Sequence, residues 1–295
     1  MRIAAAAALT VAVAILTGIA VVLASPGTPP VRAIAAATLS PSPAPHHQAP
    51  PITHHVRSVT ACAQQLARDH NGHLLVVVGA SFTAGVGPGT ADRSWAVVLA
   101  RSMGWNAVVY GVPGAGYVRR GAGYRGPVTA ELTRIELSAL HPDLIIVQAG
   151  HDDIGIDPQL EQQQVEETIA QVHSDAPNAR IALVTVFPGR AKLARAWLTD
   201  GAIVAGATAA DPNVIIMDPL AGNWAYQRGE DGLHPTVAGS DWLANEIAGI
   251  LHGYGVTGTG DLDGRLILCD YSSVGKHKRI KVPPPAGASA RMDPP

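Results

Sequence analysis

The feature that most constrains the fold is an alternation of short apolar segments with helical segments, which begins near residue 73. The apolar segments are rich in Val, Ile and Leu, as buried parallel strands are. They cover residues 73–79, 106–110, 143–148, 179–187 and 213–218. Helical spacing of apolar residues covers residues 92–103, 129–140, 159–174, 191–210 and 235–253. Because strands that alternate with helices form right-handed βαβ units, we predict an α/β fold with a five-stranded parallel sheet covered on both faces.

Glycine-rich turns after strands also occur in dinucleotide-binding domains, but the sequence argues against that class. The loop after the first predicted strand lacks the GxGxxG pattern. The second strand ends at Val109-Tyr110-Gly111, without the acidic residue that holds a ribose. The 21 Lys and Arg residues against 23 Asp and Glu give a net charge of −2, whereas nucleic-acid-binding proteins are usually strongly basic. We therefore expect neither a nucleotide cofactor nor a nucleic-acid partner.

Chemically active side chains follow the predicted strands at the edge where ligands bind in such sheets. Ser81 follows the first strand, whereas Asp231 and His234 come just before the last helix. A serine hydroxyl needs an adjacent base, and histidine is a suitable base near neutral pH when a carboxylate fixes its tautomer. Glycines on separate loops can bring backbone N–H groups close to a substrate oxygen. The pattern predicts a nucleophilic serine site at this edge.

Four segments in this order resemble the blocks of the SGNH (GDSL-type) hydrolase family, over roughly residues 73–252. They are Gly79-Ala80-Ser81, Gly111-Val112-Pro113-Gly114, Gly150-His151-Asp152-Asp153 and Asp231-Gly232-Leu233-His234-Pro235. The resemblance implies a flavodoxin-like three-layer α/β/α sandwich that hydrolyses esters or thioesters without a metal or an organic cofactor. It implies Ser81 as the nucleophile, His234 as the base and Asp231 as the residue that orients His234. It also assigns the oxyanion hole to Ser81, Gly114 and the position of Asp152.

Asp152 is the departure from the family pattern that matters most. The family has an asparagine there, whose side chain donates to the oxyanion, and losing such a donor costs on the order of 10²–10³ in rate. Three accounts stay open. Asp152 is protonated and donates as an acid, or the N–H groups of Ser81 and Gly114 suffice with help from His151. In the third account, the protein is a catalytically weakened module that binds cell-envelope carbohydrate or lipid. Ala80 replaces an acidic residue outside the triad, which matters little.

The substrate itself is open at this stage. Tyr117, His151 and Trp224 are close to the site loops in the sequence and are candidates for substrate binding, with core packing as the alternative for the two aromatic residues. We expect a monomeric esterase, and the substrate is a small-molecule, lipid or carbohydrate ester.

The first residues predict export. The 22 residues from Ile3 to Ala24 carry no charge, and a helix of that length spans about 33 Å, enough to cross a bilayer. Val22-Leu23-Ala24 offers the small residues of a signal-peptide cleavage site before Ser25. Residues 1–24 are therefore either a cleaved signal peptide or an N-terminal membrane anchor, and both place the protein outside the cell or at the cell envelope.

The remaining segments divide the chain by composition. We predict a proline-rich linker at residues 25–56, a catalytic domain at residues 57–271 and a basic, proline-rich disordered tail at residues 272–295. Cys62 and Cys269 bracket the predicted domain, and two thiols of an exported protein usually pair, so we expect a disulfide between them. No CxxC or Cys/His cluster indicates structural zinc, and we expect no metal.

Overall fold

The structure is a computed structural model, and it describes residues 62, 65–66, 72–189, 193–258 and 268–270. Three predicted segments lie outside the described residues: the signal peptide or anchor at 1–24, the linker at 25–56 and the tail at 272–295. In the described part of the chain, no helix is both long enough and apolar enough to span a membrane.

The central sheet is parallel, and the five strands predicted from the sequence are confirmed. They are β1 Leu74–Gly79, β2 Asn106–Gly111, β3 Leu144–Gln148, β4 Arg180–Val184 and β5 Ile215–Met217. A sixth strand, β6 at Leu268–Asp270, pairs in parallel with β2 and gives the order β5-β4-β3-β1-β2-β6. The strand β6 is absent from the sequence-based prediction, because a three-residue strand is too short to show a periodic pattern.

Six helices connect these strands in the described residues. They are α1 Trp95–Met103, α2 Val128–Arg134, α3 Leu137–Leu140, α4 Pro158–Asp175, α5 Leu193–Ala210 and α6 Val237–Gly253. The predicted helix at 129–140 is wrong as a single element, because Glu136 adopts a φ of 53° and separates α2 from α3. Pro235 also precedes α6 rather than starting it, since Thr236 is the N-cap and accepts a hydrogen bond from the Gly239 N–H at 3.1 Å.

The helices cover both faces of the sheet, which makes three layers. Successive residues of β1 point to opposite faces, as in any strand. Val76 and Val78 pack in one buried cluster with residues of α2, α3, α4 and α5. Leu75 and Val77 pack in a second cluster with residues of α1 and α6. The three-layer α/β/α prediction is therefore confirmed, and the carboxyl ends of all strands lie at one edge of the sheet.

A disulfide joins Cys62 to Cys269, the pairing expected from the sequence. Cys269 lies on β6 and is 3% exposed, and Cys62 packs against the same buried cluster. The bond closes a sequence separation of 207 residues, so it ties a residue before β1 to the strand at the end of the domain. Cross-links that close long loops restrict the unfolded chain.

Candidate active site

Ser81, His234 and Asp231 form one hydrogen-bonded chain at the carboxyl edge of the sheet. His234 Nε2 lies 2.8 Å from Ser81 Oγ, and His234 Nδ1 lies 2.6 Å from Asp231 Oδ2. Ser81 directly follows β1 and the turn residue Ala80, whereas Asp231 and His234 lie on the loop before α6. The arrangement can therefore remove the serine proton and hold the imidazolium that results beside a carboxylate.

Asp231 is fixed by its own loop. Its Oδ1 accepts hydrogen bonds from the backbone N–H groups of Leu233 at 2.9 Å and His234 at 3.0 Å, which leaves Oδ2 for the imidazole. The backbone hydrogen bond from Leu233, followed by the one from the His234 side chain, lowers the pKa of Asp231. Asp231 is thus a carboxylate at neutral pH, so His234 Nδ1 carries a hydrogen and Nε2 is free to accept the serine proton.

The side chain of Gln148 holds the turn that carries Ser81. Gln148 ends β3 and is fully buried, and its Oε1 accepts from Ala80 N at 3.2 Å, Thr83 N at 3.3 Å and Thr83 Oγ1 at 2.9 Å. Gln148 was not among the site residues predicted from the sequence. The feature that could have identified Gln148 is that it is the one polar residue of the apolar strand LIIVQ and lies at the end of the strand where the site forms.

We predict that Gln148→Met lowers kcat by about tenfold to a hundredfold with little change in KM, because the serine moves while the substrate pocket stays. It should also lower the free energy of unfolding by about 1–3 kcal/mol, since buried donors lose their acceptor. Steady-state kinetics and urea unfolding measure both effects. The exposed Gln163→Met is the matched control, and an unchanged kcat in Gln148→Met would show that the glutamine does not position Ser81.

An aromatic ring and the loop after Ser81 both pack against His234. The Phe82 ring lies 5.2 Å from the His234 ring and stacks on Phe187, with 3.9 Å between the ring centroids. Gly87 has a φ of 103°, and a Cβ there would lie 2.3 Å from the Pro235 carbonyl oxygen and 2.9 Å from His234 Cβ. Only glycine fits this position, so the loop after Ser81 closes directly against His234.

The two aromatic candidates for substrate binding lie in the core. Tyr117 is fully buried in the cluster on the α2 to α5 face of the sheet, so its side chain does not line a pocket. Trp224 is 5% exposed and contacts Phe187 edge to face, with 6.2 Å between centroids. Trp224 therefore packs against Phe187, which in turn stacks on the Phe82 ring next to His234. The sequence could not separate these positions from pocket positions, because aromatic residues are common in both.

Asp153 holds the second glycine loop, which contains Gly114, next to the site. Its Oδ2 accepts from Tyr117 N at 2.6 Å, and its Oδ1 accepts from Arg119 N at 2.9 Å. The Val112 N–H also donates to the Gly79 carbonyl at 2.8 Å, which joins this loop to the end of β1. Gly114 has a φ of 80°, which suits glycine. Asp153 is thus structural, and it fixes the loop whose Gly114 N–H was assigned to the oxyanion hole.

A second buried acid, Glu161 of α4, faces Asp153. Burial, followed by the charge of Asp153, raises the pKa of Glu161 to about 9. Asp153 accepts two backbone hydrogen bonds, which favour its charged form, so Glu161 is the member of the pair that keeps a proton at neutral pH.

This pair predicts a pH-dependent stability. Since the pKa of Glu161 is raised on folding, the folded protein keeps a proton that the unfolded chain releases, and stability falls as pH rises toward about 9. Glu161→Gln stays neutral, so its Tm should exceed the wild-type Tm by about 3 °C or more at pH 9 and by much less at pH 5. Thermal melts at both pH values measure this. The exposed Glu167→Gln is the control, and equal pH slopes for wild type and Glu161→Gln would contradict the prediction.

Asp152 and His151 lie in the turn that follows β3. Burial, followed by the charge of Asp153, raises the pKa of Asp152 to about 6. His151 Nδ1 lies 3.2 Å from the Phe187 carbonyl oxygen and donates to it, because a carbonyl can only accept. Burial, with a smaller contribution from the His234 charge, lowers the pKa of His151. His151 is therefore a neutral ring with Nε2 free to accept, and Asp152 is largely ionised above pH 6.

Backbone donors remain available beside Ser81. The hydrogen bonds of the described residues include none from the N–H groups of Ser81 or Gly114. In these residues, no group of three or more His, Cys, Asp or Glu side chains could hold a metal ion. The arrangement can therefore bind a carbonyl oxygen through backbone N–H groups and attack its carbon with a serine.

The sequence is similar to that of GDSL-like lipases. The model of the GDSL-like lipase/acylhydrolase family matches residues 77–242. A GDSL lipase from Mycobacterium tuberculosis is 29% identical over 201 residues, which cover 63% of this chain and 84% of that protein. The alignment with this lipase, over 201 residues, is longer than the segment that the family model matches.

Solved structures show the same fold. A lipolytic protein of the G-D-S-L family from Desulfitobacterium hafniense superposes with a TM-score of 0.51 at 17% identity, over 61% of this chain and 100% of that one. A carbohydrate acetylesterase from Sinorhizobium meliloti superposes with a TM-score of 0.51 at 17% identity, over 62% of this chain and 100% of that one. At such identity the likeness concerns the fold alone.

Proposed function

The chain belongs to the GDSL-like lipase/acylhydrolase family and is an ester hydrolase of that class, and on this premise we propose that it cleaves carboxylic esters through an acyl-enzyme on Ser81. The observation that carries the proposal is the continuous chain of contacts from Ser81 Oγ to His234 at 2.8 Å and from His234 to Asp231 at 2.6 Å. A serine without such a base is a weak nucleophile.

In the first half of the reaction, Ser81 Oγ attacks the ester carbonyl carbon while its proton moves to His234 Nε2. The carbonyl oxygen becomes an oxyanion, which the N–H groups of Ser81 and Gly114 stabilise. The C–O bond to the alcohol then breaks, and His234 gives its proton to the leaving oxygen. The products of this half are the free alcohol and an acyl group on Ser81.

In the second half, water takes the place of the alcohol. His234 accepts a proton from the water as its oxygen attacks the acyl carbon. The bond between the acyl carbon and Ser81 Oγ then breaks, which releases the carboxylic acid, and His234 gives the proton back to Ser81 Oγ. Asp231 stays ionised throughout and stabilises the imidazolium that forms twice in each cycle.

The proposal extends to the location of the enzyme. The uncharged run at Ile3 to Ala24 and the disulfide between Cys62 and Cys269 both favour an exported protein that is secreted or held at the cell envelope. We propose that it acts there on carbohydrate, lipid or small-molecule esters. The similarity to a carbohydrate acetylesterase structure supports including acetylated sugars among the substrates to be tested.

A series of 4-nitrophenyl esters from acetate to palmitate, together with acetylated xylan, tests this function. We expect saturable hydrolysis of at least one ester, abolished in Ser81→Ala. The ester with the highest kcat/KM then identifies the preferred acyl length. No hydrolysis of any ester by the full chain, together with saturable binding of a carbohydrate or lipid, would favour the alternative of a binding module, which the carboxylate of Asp152 supports.

A further inference from the structure

A pocket beside the proposed catalytic residues plays no part in the reaction described above. It has a volume of about 240 Å³. Its lining residues are Pro188, Gly189, Arg228, Gly229 and Gly232. Gly229 and Gly232 belong to the loop that carries Asp231 and His234, and the Gly229 N–H donates to the His234 carbonyl at 2.8 Å. The pocket therefore shares a wall with the loop of the catalytic base.

The opposite wall lies close to His151. A Cβ on Gly189 would lie 3.2 Å from His151 Cε1 and 3.5 Å from Leu233 Cδ1. Gly189 follows Phe187, whose carbonyl accepts from His151. The pocket is thus bounded by the loop after β4 and by the loop before α6, which carries Asp231 and His234.

Arg228 is the one charged residue that lines this pocket. Its guanidinium carbon lies 4.5 Å from the centroid of the Tyr226 ring, and the Tyr226 hydroxyl is itself fixed by donating to the Leu233 carbonyl at 2.8 Å. The backbone of Arg228 pairs with Pro235. Stacking on Tyr226 and backbone pairing with Pro235 together hold the guanidinium in place.

Arg228 also has no anionic partner in the part of the chain that the structure describes. Its guanidinium forms no ion pair with a carboxylate of these residues. The carboxylate of Asp231, on the same loop, accepts its hydrogen bonds from Leu233 and His234 rather than from Arg228. The Arg228 Nε is buried and has no hydrogen-bond partner among these residues. A guanidinium that is held in place in a pocket without a counter-ion can bind an anionic group of a ligand.

The position of the pocket indicates which part of the substrate enters it. His234 must protonate the leaving oxygen, so the alcohol part of the ester lies beside His234. We propose that Arg228 binds an anionic group, a carboxylate or a phosphate, carried by the alcohol part of the ester substrate. This inference rests on the proposed function and specifies its substrate class. The planar guanidinium fork matches either anion through two parallel hydrogen bonds, and lysine does not reproduce that geometry.

The test compares acetate esters that differ only in charge on the alcohol side. The substrates are 4-acetoxybenzoate and 4-acetoxyphenyl phosphate, each measured against the neutral 4-acetoxybenzamide. The readout is the ratio of kcat/KM for the anionic ester to kcat/KM for the neutral ester, in wild type, Arg228→Gln and Arg228→Lys. Because the ratio is taken within each variant, a general loss of folding or activity cancels. Arg180→Gln, whose guanidinium donates to the Tyr254 carbonyl at the other end of β4, is the control for net charge.

We expect Arg228→Gln to lower the ratio by about tenfold or more for at least one anion, Arg228→Lys to lower it less, and Arg180→Gln to leave it unchanged. The anion with the larger loss identifies carboxylate or phosphate as the natural group. The same ratio in wild type and Arg228→Gln would overturn the inference while the proposed function stands. An Arg228-dependent preference for phenyl hydrogen succinate alone, whose charge is on the acyl side, would also overturn it. No hydrolysis of any ester would overturn both.

Discussion

Ser81→Ala and His234→Ala should each lower kcat on a short-chain aryl ester by about a thousandfold or more, with little change in the folded structure. The reason is that Ser81 Oγ is the attacking atom and His234 Nε2, at 2.8 Å, is the base that accepts its proton. The residues act as a unit, so the double variant should be hardly worse than either single variant.

Steady-state assays of the purified variants on a short-chain aryl ester measure kcat, and circular dichroism checks that each variant is folded. Asp231→Asn belongs in the same series, because it keeps the shape of the loop but removes the charge that fixes the His234 tautomer. Retention of most of the activity in Ser81→Ala would remove the serine from the mechanism. Additive losses in the double variant would show that Ser81 and His234 do not act together.

Asp152→Asn should raise kcat by about tenfold or more at pH 8, a gain that most substitutions near an active site do not give. The pKa of Asp152 is raised to about 6, so at pH 8 its side chain is almost entirely a carboxylate. A carboxylate repels the oxyanion, whereas an asparagine donates a hydrogen bond at every pH. Below pH 6 the protonated acid also donates, so the two proteins should converge there.

A pH–kcat profile of both proteins on one aryl acetate measures this difference. The wild-type rate should fall relative to the Asp152→Asn rate as pH rises through about 6, because the carboxyl of Asp152 loses the proton that it can donate. Asp157→Asn, at the exposed cap of α4, is the matched control. Identical profiles for wild type and Asp152→Asn would show that Asp152 does not face the oxyanion. The backbone N–H groups alone would then donate hydrogen bonds to the oxyanion.

The parts of the fold that could be predicted from the sequence are those with long periodic patterns. The strands β1 to β4 are short apolar runs rich in Val and Ile, and the long helices α4, α5 and α6 show helical spacing over many residues. The break at Glu136 was missed because a single residue in the left-handed region leaves the apolar spacing on either side intact. The strand β6 depends on pairing with β2, which is a tertiary contact.

The candidate site divides in the same way. Ser81, Asp231 and His234 were found because the sequence places each at the same edge of a parallel sheet. Gln148 was missed because its role depends on where its oxygen points, toward the N–H groups of Ala80 and Thr83. Arg228 was missed because an arginine on a loop carries no pattern. Its meaning comes from stacking on Tyr226 beside a pocket, which only the folded chain brings together.

The central claim is that Ser81 is the nucleophile of an ester hydrolase, and covalent labelling tests it most directly. The full chain is incubated with a fluorophosphonate probe, digested and mapped by mass spectrometry, with Ser81→Ala and heat-unfolded wild type as controls. The account predicts one phosphonyl adduct, on the peptide that contains Ser81, absent from both controls and slowed in His234→Ala. An active enzyme that carries no adduct on Ser81, or carries it on another residue, would contradict the account.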